Sequence, residues 1–354
     1  VILFTWYVQR VVRRTLSATP TYTPGGTAST TAHGTLATMA IKASPHVNWR
    51  RTTMGVVYLV IAFGLLVAGF MAMRALGIGP VGSLLASGKL TISDQILVAD
   101  FAATGADSSL GGVLAEAMRS SLSRAKRVQV VQASAVAGAL QRMEMPVTSR
   151  LSLALAQEIA QREGIKAIVS GEVTSLSDGY LVTAKLLSVS NGDVLSSFQQ
   201  SANGAVDLIP AMDRLGKALR GKIGESLRDI QGGPPLAKVS TSSIEALRKF
   251  TEGARLNDIE GDPASAVAPL KEAIALDSNF AMAYRKLGIA LNNSGNDVEG
   301  ARVLEQGFAF RDQMPEAERL AFEAVYYQYG PHPDRGKIIE SYTKLFAKYP
   351  EWLT

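Results

Sequence analysis

The stretch TTMGVVYLVIAFGLLVAGFMAM, residues 52–73, decides the architecture of this chain. It carries no charge, and arginines flank it, Arg50 and Arg51 before it and Arg74 after it. At about 1.5 Å per residue its 22 residues would extend roughly 33 Å as a helix, enough to cross a hydrocarbon core of about 30 Å. A signal peptide would have a shorter apolar part at the chain start, and a buried core helix is the remaining alternative. The stretch predicts a transmembrane helix over residues 52–75.

The charge of the chain divides at this segment. All 31 acidic residues lie at or after Asp94, whereas eight of the 36 bases precede it. The basic excess therefore flanks the membrane segment and does not indicate a nucleic-acid-binding face. More bases lie close before the helix than close after it, so the positive-inside rule places the N-terminus in the cytoplasm and the later domains outside.

Residues 1–51 predict a basic, low-complexity cytoplasmic arm. Residues 15–43 are rich in Thr, Ala, Ser, Gly and Pro, and such a segment cannot bury enough apolar surface to fold alone. An ordered arm would need a larger membrane assembly to hold it. The apolar, aromatic chain start with its following arginines is typical of a helix on the membrane surface, a packed strand or a partner-buried peptide being the alternatives. The candidate surface anchors are Trp6, Tyr7, Arg10, Arg13 and Arg14.

Residues 93–230 alternate strand and helix patterns after a Gly-rich linker at residues 76–92. Short apolar runs ending in polar residues predict buried strands, with helical spacings between them. Asp178-Gly179 and Asn191-Gly192 follow apolar runs at the spacing of hairpin turns. The pattern predicts a mixed sheet, with crossover units first and an antiparallel meander last, covered by helices.

A linker predicted at residues 231–242 precedes a purely helical pattern with a 34-residue period in residues 243–354. Small residues recur where paired helices must approach closely and large ones where they fill the gap. Ala254 and Leu270, for example, return as Gly288 and Leu304. A third helix pair with weaker register is expected, and either further chain or a partner would cover its end.

Residues 95–202 resemble the TolB-like amino-terminal module of bacterial membrane proteins. The resemblance rests on residues 96–101, 167–173 and 181–187, the last continuing through Asn191-Gly192-Asp193. It implies an α/β domain.

Residues 243–350 resemble tetratricopeptide repeats, most clearly over residues 273–284, where Ser278 replaces the usual proline. The two resemblances imply a single transmembrane helix, a TolB-like α/β domain and an all-α tetratricopeptide solenoid. This order resembles the extracytoplasmic half of bacterial serine/threonine kinases and cyclases, although residues 1–54 contain none of a kinase's loops. A fainter resemblance is to auxiliary subunits of photosynthetic reaction-centre and light-harvesting complexes. The implied location is the bacterial inner membrane, with the C-terminal domains in the periplasm.

No catalytic chemistry is predicted. The sequence has no cysteine, no phosphate loop of Walker type, no Gly-x-Ser-x-Gly elbow and no His-Glu-x-x-His. His33, His46 and His332 lie in three different segments, so a shared metal site is not expected. Asp100 follows the first strand, where α/β folds often place ligand contacts, and a turn or helix-capping carboxylate is the plainer alternative. We predict no enzyme, no cofactor, no metal and no nucleic-acid partner.

The tetratricopeptide resemblance implies a groove for binding a partner. Its predicted residues are Arg248, Thr251, Arg255, Arg285, Ile289 and Asn292. The arginines would give the groove a basic wall for a carboxylate or an acidic segment, and ordinary solvated helix faces are the alternative. In the membrane helix, Gly64, Ala68 and Ala72 recur every four residues and would let another helix approach closely.

Two functions follow from the sequence. The first is a non-catalytic, membrane-anchored scaffold or accessory subunit that binds and stabilises a larger membrane protein complex, a photosynthetic assembly being one candidate. The second is the extracytoplasmic sensor or interaction portion of a signalling protein of the serine/threonine kinase or cyclase type. A kinase or cyclase domain encoded directly before Val1 would favour the second. The expected partners are the lipid bilayer and subunits of the complex.

Overall fold

The computed structural model describes residues 49–75 and 83–349. Helix α1, Trp49–Ala75, is present where the sequence predicts a membrane helix. Its segment Met54–Met71 has a mean hydropathy of 2.4, and every side chain in it is exposed. By length and composition the helix could cross a membrane. Its insertion and its orientation stay predictions.

A six-stranded mixed sheet forms the centre of the α/β domain. The strands are β1 Gln95–Val98, β2 Ala102–Thr104, β3 Gln129–Val130, β4 Ala167–Leu176, β5 Gly179–Ser188 and β6 Val194–Ala202. Their order is β3-β1-β4-β5-β6, and β2 also pairs with β4. Strand β1 runs parallel to β3 and β4, whereas β4, β5 and β6 are antiparallel. The predicted mixed sheet is confirmed, with its hairpin turns at Asp178-Gly179 and Asn191-Gly192.

Helices cover both faces of this sheet. Helices α2 Leu110–Leu122 and α5 Leu208–Ile223 lie on one face, and α3 Ala133–Arg142 and α4 Leu153–Arg162 lie on the other. Successive residues of β1 enter opposite cores, because Ile96 packs with the first pair of helices and Leu97 with the second. A strand buried on both faces is expected to be apolar throughout, as β1 largely is.

Residues 244–348 form six helices that pack in sequential pairs. They are α8 Ile244–Asp258, α9 Pro263–Leu276, α10 Ala281–Asn293, α11 Asp297–Phe308, α12 Glu316–Tyr329 and α13 Arg335–Lys348. A Cβ atom on Gly288 would lie 2.4 Å from Cγ of Leu304, and one on Gly253 would lie 2.5 Å from Cγ of Leu270. The small residues therefore lie where the helices approach most closely. The helical C-terminal region is confirmed, and its assignment as tetratricopeptide repeats stays a prediction.

Both predicted linkers contact helix α5 in the part of the chain that the structure describes, which resumes at residue 83. Leu84, within the first, is 4% exposed, and its N–H donates to the carbonyl of Lys222 at 3.0 Å. The second contains the end of α6, Leu227–Gly232, and all of α7, Leu236–Val239. Leu236 is fully buried, and its N–H donates to Oδ1 of Asp213 at 3.1 Å. Glycine and proline predict a linker at this point, but the apolar residues that follow them fix the segment onto the domain.

A buried ion pair fixes the end of helix α5. Arg220 and Glu225 form two hydrogen bonds, Nε to Oε2 at 2.6 Å and Nη2 to Oε1 at 2.8 Å. Their side chains are only 3% and 2% exposed. Removing one partner of such a pair leaves a buried charge without compensation, which is strongly destabilising.

We expect Glu225→Gln to lower the free energy of unfolding by about 3 kcal/mol, because Arg220 keeps its charge but loses its counter-ion. The matched control is Glu158→Gln, which breaks the exposed pair with Arg162 at 2.7 Å and should cost less than about 0.5 kcal/mol. Guanidinium unfolding of the detergent-solubilised chain, followed by circular dichroism, measures both. Equal effects of the two substitutions would contradict the assigned role of the buried pair.

Candidate functional site

A cleft of about 850 Å³ lies between the α/β domain and the helical region. The connections that follow the neighbouring strands β1 and β3 leave the sheet on opposite faces, α2 on one and α3 on the other. Such divergence opens a crevice beyond the carboxyl ends of the strands, where α/β proteins commonly bind ligands. Helices α8 and α10 face this crevice and close it into the cleft.

Asp100 lies at the carboxyl end of β1 and lines the cleft. Its Oδ2 accepts the N–H of Leu151 at 2.9 Å, and its own N–H donates to the carbonyl of Leu151 at 2.9 Å. Nη2 of the adjacent Arg150 donates to the carbonyl of Phe101 at 2.7 Å. These bonds hold the loop before α4 against the end of β1. The plainer of the two interpretations of Asp100, a carboxylate that fixes a turn, therefore describes its contacts.

The structure brings most of the predicted groove residues to this cleft. Four of them line it: Thr251 and Arg255 from α8, and Arg285 and Ile289 from α10. Asn292 instead donates to the carbonyl of Gly288 in its own helix at 2.8 Å. The groove thus faces the α/β domain of the same chain, and partner binding there stays a prediction.

The predicted basic wall is not free in this structure, because carboxylates of the same chain pair with each arginine. Arg255 pairs with Glu260, and Nη2 of Arg285 lies 2.5 Å from Oε2 of Glu318. Arg248 pairs with Asp107 of the α/β domain. The sequence pattern did not predict these acids, since Asp107, for example, precedes Arg248 by 141 positions.

The pair of Arg248 and Asp107 joins the two sides of the molecule near the cleft. Nη1 of Arg248 also donates to Oγ of Ser109 at 2.5 Å, and the N–H of Ser109 donates to Oδ1 of Asp107 at 2.9 Å. The hydrogen bond from Arg248 is the main reason that the pKa of Asp107 falls from 3.8 to about 2. Helices α2 and α8 pack together beside this contact.

The other predicted site residues lie in helix α1 or outside the residues that the structure describes. Gly64 and Ala68 lie one turn apart on exposed α1, and the side chain of Ala72 is outside the described residues. The predicted surface anchors Trp6, Tyr7, Arg10, Arg13 and Arg14 also lie outside the described residues. Within residues 49–75 and 83–349, no group of three or more acidic or histidine side chains is placed to hold a metal ion.

Residues 83–206 match the family model described as FlgO protein. Comparison with curated proteins gives no match. Among solved structures, the LpoB C-terminal domain from Salmonella enterica matches at 16% identity and a TM-score of 0.29, covering 35% of this chain and 93% of that one. Lipoprotein GNA1162 from Neisseria meningitidis matches at 22% identity and a TM-score of 0.28, covering 38% of this chain and 99% of that one. TolB from Acinetobacter baumannii matches at 15% identity and a TM-score of 0.26, covering 41% of this chain and 30% of that one. The family match lies in the α/β domain and does not extend to the helical region.

We expect Arg248→Met and Asp107→Asn each to speed amide hydrogen exchange at the starts of α2 and α8, because each removes the same contact between them. The folded pKa of Asp107 is depressed, so the contribution of the pair is fully present above pH 3.8 and is lost as the pH falls through about 2. Salt should weaken it, since both groups are partly exposed.

The double variant should exchange no faster than either single one, because both lose one shared contact. Arg302→Met is the control, since Arg302 lies 3.9 Å from Glu299 on an exposed helix face. Unchanged exchange in the Arg248 and Asp107 variants would show that the pair does not hold the two helices together.

Proposed function

We propose that this chain is a membrane-anchored, non-catalytic accessory protein of the bacterial envelope that binds and stabilises partner proteins in a larger complex. The observation that carries the proposal is helix α1, whose 18 residues from Met54 to Met71 are apolar and wholly exposed. Such a surface needs either lipid or another protein to cover it. Both are supplied where a bilayer and a partner helix surround α1.

The chemistry of the described residues favours binding over catalysis. The ionised groups in the cleft are engaged with one another or with the backbone, as in the pairs Arg119 with Glu116 and Lys286 with Asp258. A general acid or base must be free to exchange a proton with a substrate, whereas these groups are already held by partners within the chain.

The FlgO match of the α/β domain supports an accessory role in the envelope. We place the C-terminal domains in the periplasm, following the charge asymmetry around α1. The helical region, as tetratricopeptide repeats, would add partner surfaces beyond the groove that faces the α/β domain. A photosynthetic assembly is one candidate complex, and no described residue singles it out.

Native electrophoresis of gently solubilised membranes tests the proposal. We expect the chain to migrate in a large complex, whose other subunits mass spectrometry would identify. Migration as a free monomer or a small homo-oligomer would overturn the accessory role.

We expect Ala68→Phe in α1 to loosen association with a partner helix while leaving membrane insertion intact. The added ring would separate helices that approach over small residues, whereas its apolar character suits lipid. Leu66→Phe is the matched control, because two residues along a helix place its side chain on the opposite side. Co-purification with the complex measures the effect, and equal recovery of both variants would exclude this face as an interface.

A further inference from the structure

The first turn of helix α3 lines the cleft with unpartnered backbone donors. Its N-cap residue, Gln132, makes no side-chain cap hydrogen bond, and the turn contains no acidic residue. The first N–H groups of a helix have no acceptor within it. Within the described part of the chain, the N–H groups of Ala133 and Ser134 have no other acceptor, whereas Val136 donates to the carbonyl of Gln132 at 3.2 Å. The positive end of the α3 dipole therefore faces the cleft.

A second and independent observation comes from two buried polar atoms of the cleft walls. Ser120 of α2 lines the same cleft and is 6% exposed, and its Oγ has no hydrogen-bond partner among the described residues. On the opposite wall, Oδ1 of Asn257 is likewise buried without a partner. A buried polar atom left without a partner is costly, so native structures normally satisfy it with protein, water or ligand.

One cation that lines the cleft has no carboxylate partner within the described ranges. Arg150 bonds to the carbonyl of Phe101 and has no carboxylate partner in the described part of the chain. Asp100, which also lines the cleft, accepts the N–H of Leu151. The other acids that line the cleft, Glu116, Asp258 and Glu318, each pair with a lining cation.

The remaining walls are apolar and suit an organic body. Leu140 of α3 lies on one side, and Phe250, Met282 and Ile289 lie on the other. A volume of about 850 Å³ falls within the range of about 300–1,000 Å³ that is usual for small-molecule sites.

We propose that this cleft is a binding site for a small soluble organic anion. Its carboxylate or phosphate group would accept from the first turn of α3 and from Arg150, and its apolar body would lie against α8 and α10. The site does not depend on the accessory role, because it lies within one chain and needs no partner subunit.

Isothermal titration of the full chain in a neutral detergent with phenyl phosphate, benzoate and benzyl alcohol tests the proposal. Ser134→Asp is the main variant, because an acid in the first turn suits the helix dipole and so preserves folding, yet repels an anion from the same N–H groups. Ser134→Asn is its neutral match. We expect both anions to bind the wild type. The dissociation constants of Ser134→Asn should stay within about threefold of the wild-type values, whereas Ser134→Asp should bind both anions at least about tenfold more weakly.

Three results would overturn the proposal. One is the absence of binding by both aromatic anions at concentrations up to about 10 mM. Another is binding that Ser134→Asp leaves unchanged while circular dichroism shows both variants folded. The last is benzyl alcohol binding as tightly as benzoate, which would show that the site does not recognise the negative charge. Inorganic phosphate should bind more weakly than phenyl phosphate, and equal affinity would remove the assigned role of the apolar wall.

Discussion

Helix α5 holds the parts of the molecule after residue 83 in their mutual arrangement. Asp213, near its middle, accepts the N–H of Leu236 and lies 3.6 Å from Arg124, which follows α2. The buried pair of Arg220 and Glu225 fixes its end, where Leu84 also bonds. Charges removed from water are stable only while their partners stay in place. These contacts therefore fix the position of the segment that connects the α/β domain to the helical region.

The cleft exists because this connecting segment is held in place. Once α7 is fixed against α5, Thr241 donates to Oδ2 of Asp277 at 2.6 Å and the side chain of Ser243 caps α8. Helix α8 then lies against α2, across the carboxyl ends of β1 and β3. A crevice that most α/β domains open to solvent is here closed by the next domain of the same chain. The geometry of the site therefore depends on contacts in both domains.

The sequence predicted those features that depend on neighbouring residues. Alternation of apolar runs, hairpin turns at Gly179 and Gly192, and small residues at helix crossings are local signals, and each appears in the structure. Contacts between distant positions were not predictable in the same way. Arg248 and Asp107 are separated by 141 positions, and Leu236 and Asp213 by 23. Periodicity locates a side chain on a face but does not identify the residue that meets it. The sequence could therefore not predict the carboxylates that pair with the groove arginines.

Because the two domains form opposite walls of the cleft, ligand binding there would affect how the domains are arranged. An occupant that contacts α3 on one side and α10 on the other binds only the arrangement in which the two domains are apposed. It would stabilise that arrangement by RT ln(1 + [L]/Kd), about 2.7 kcal/mol at a hundredfold excess over Kd. That amount exceeds what exposed ion pairs such as Arg248 with Asp107 usually contribute. The apposition of the two domains would then respond to the concentration of the anion, and so would any partner surface composed of both. In the proposed accessory role, the affinity of the chain for a complex would then depend on ligand binding.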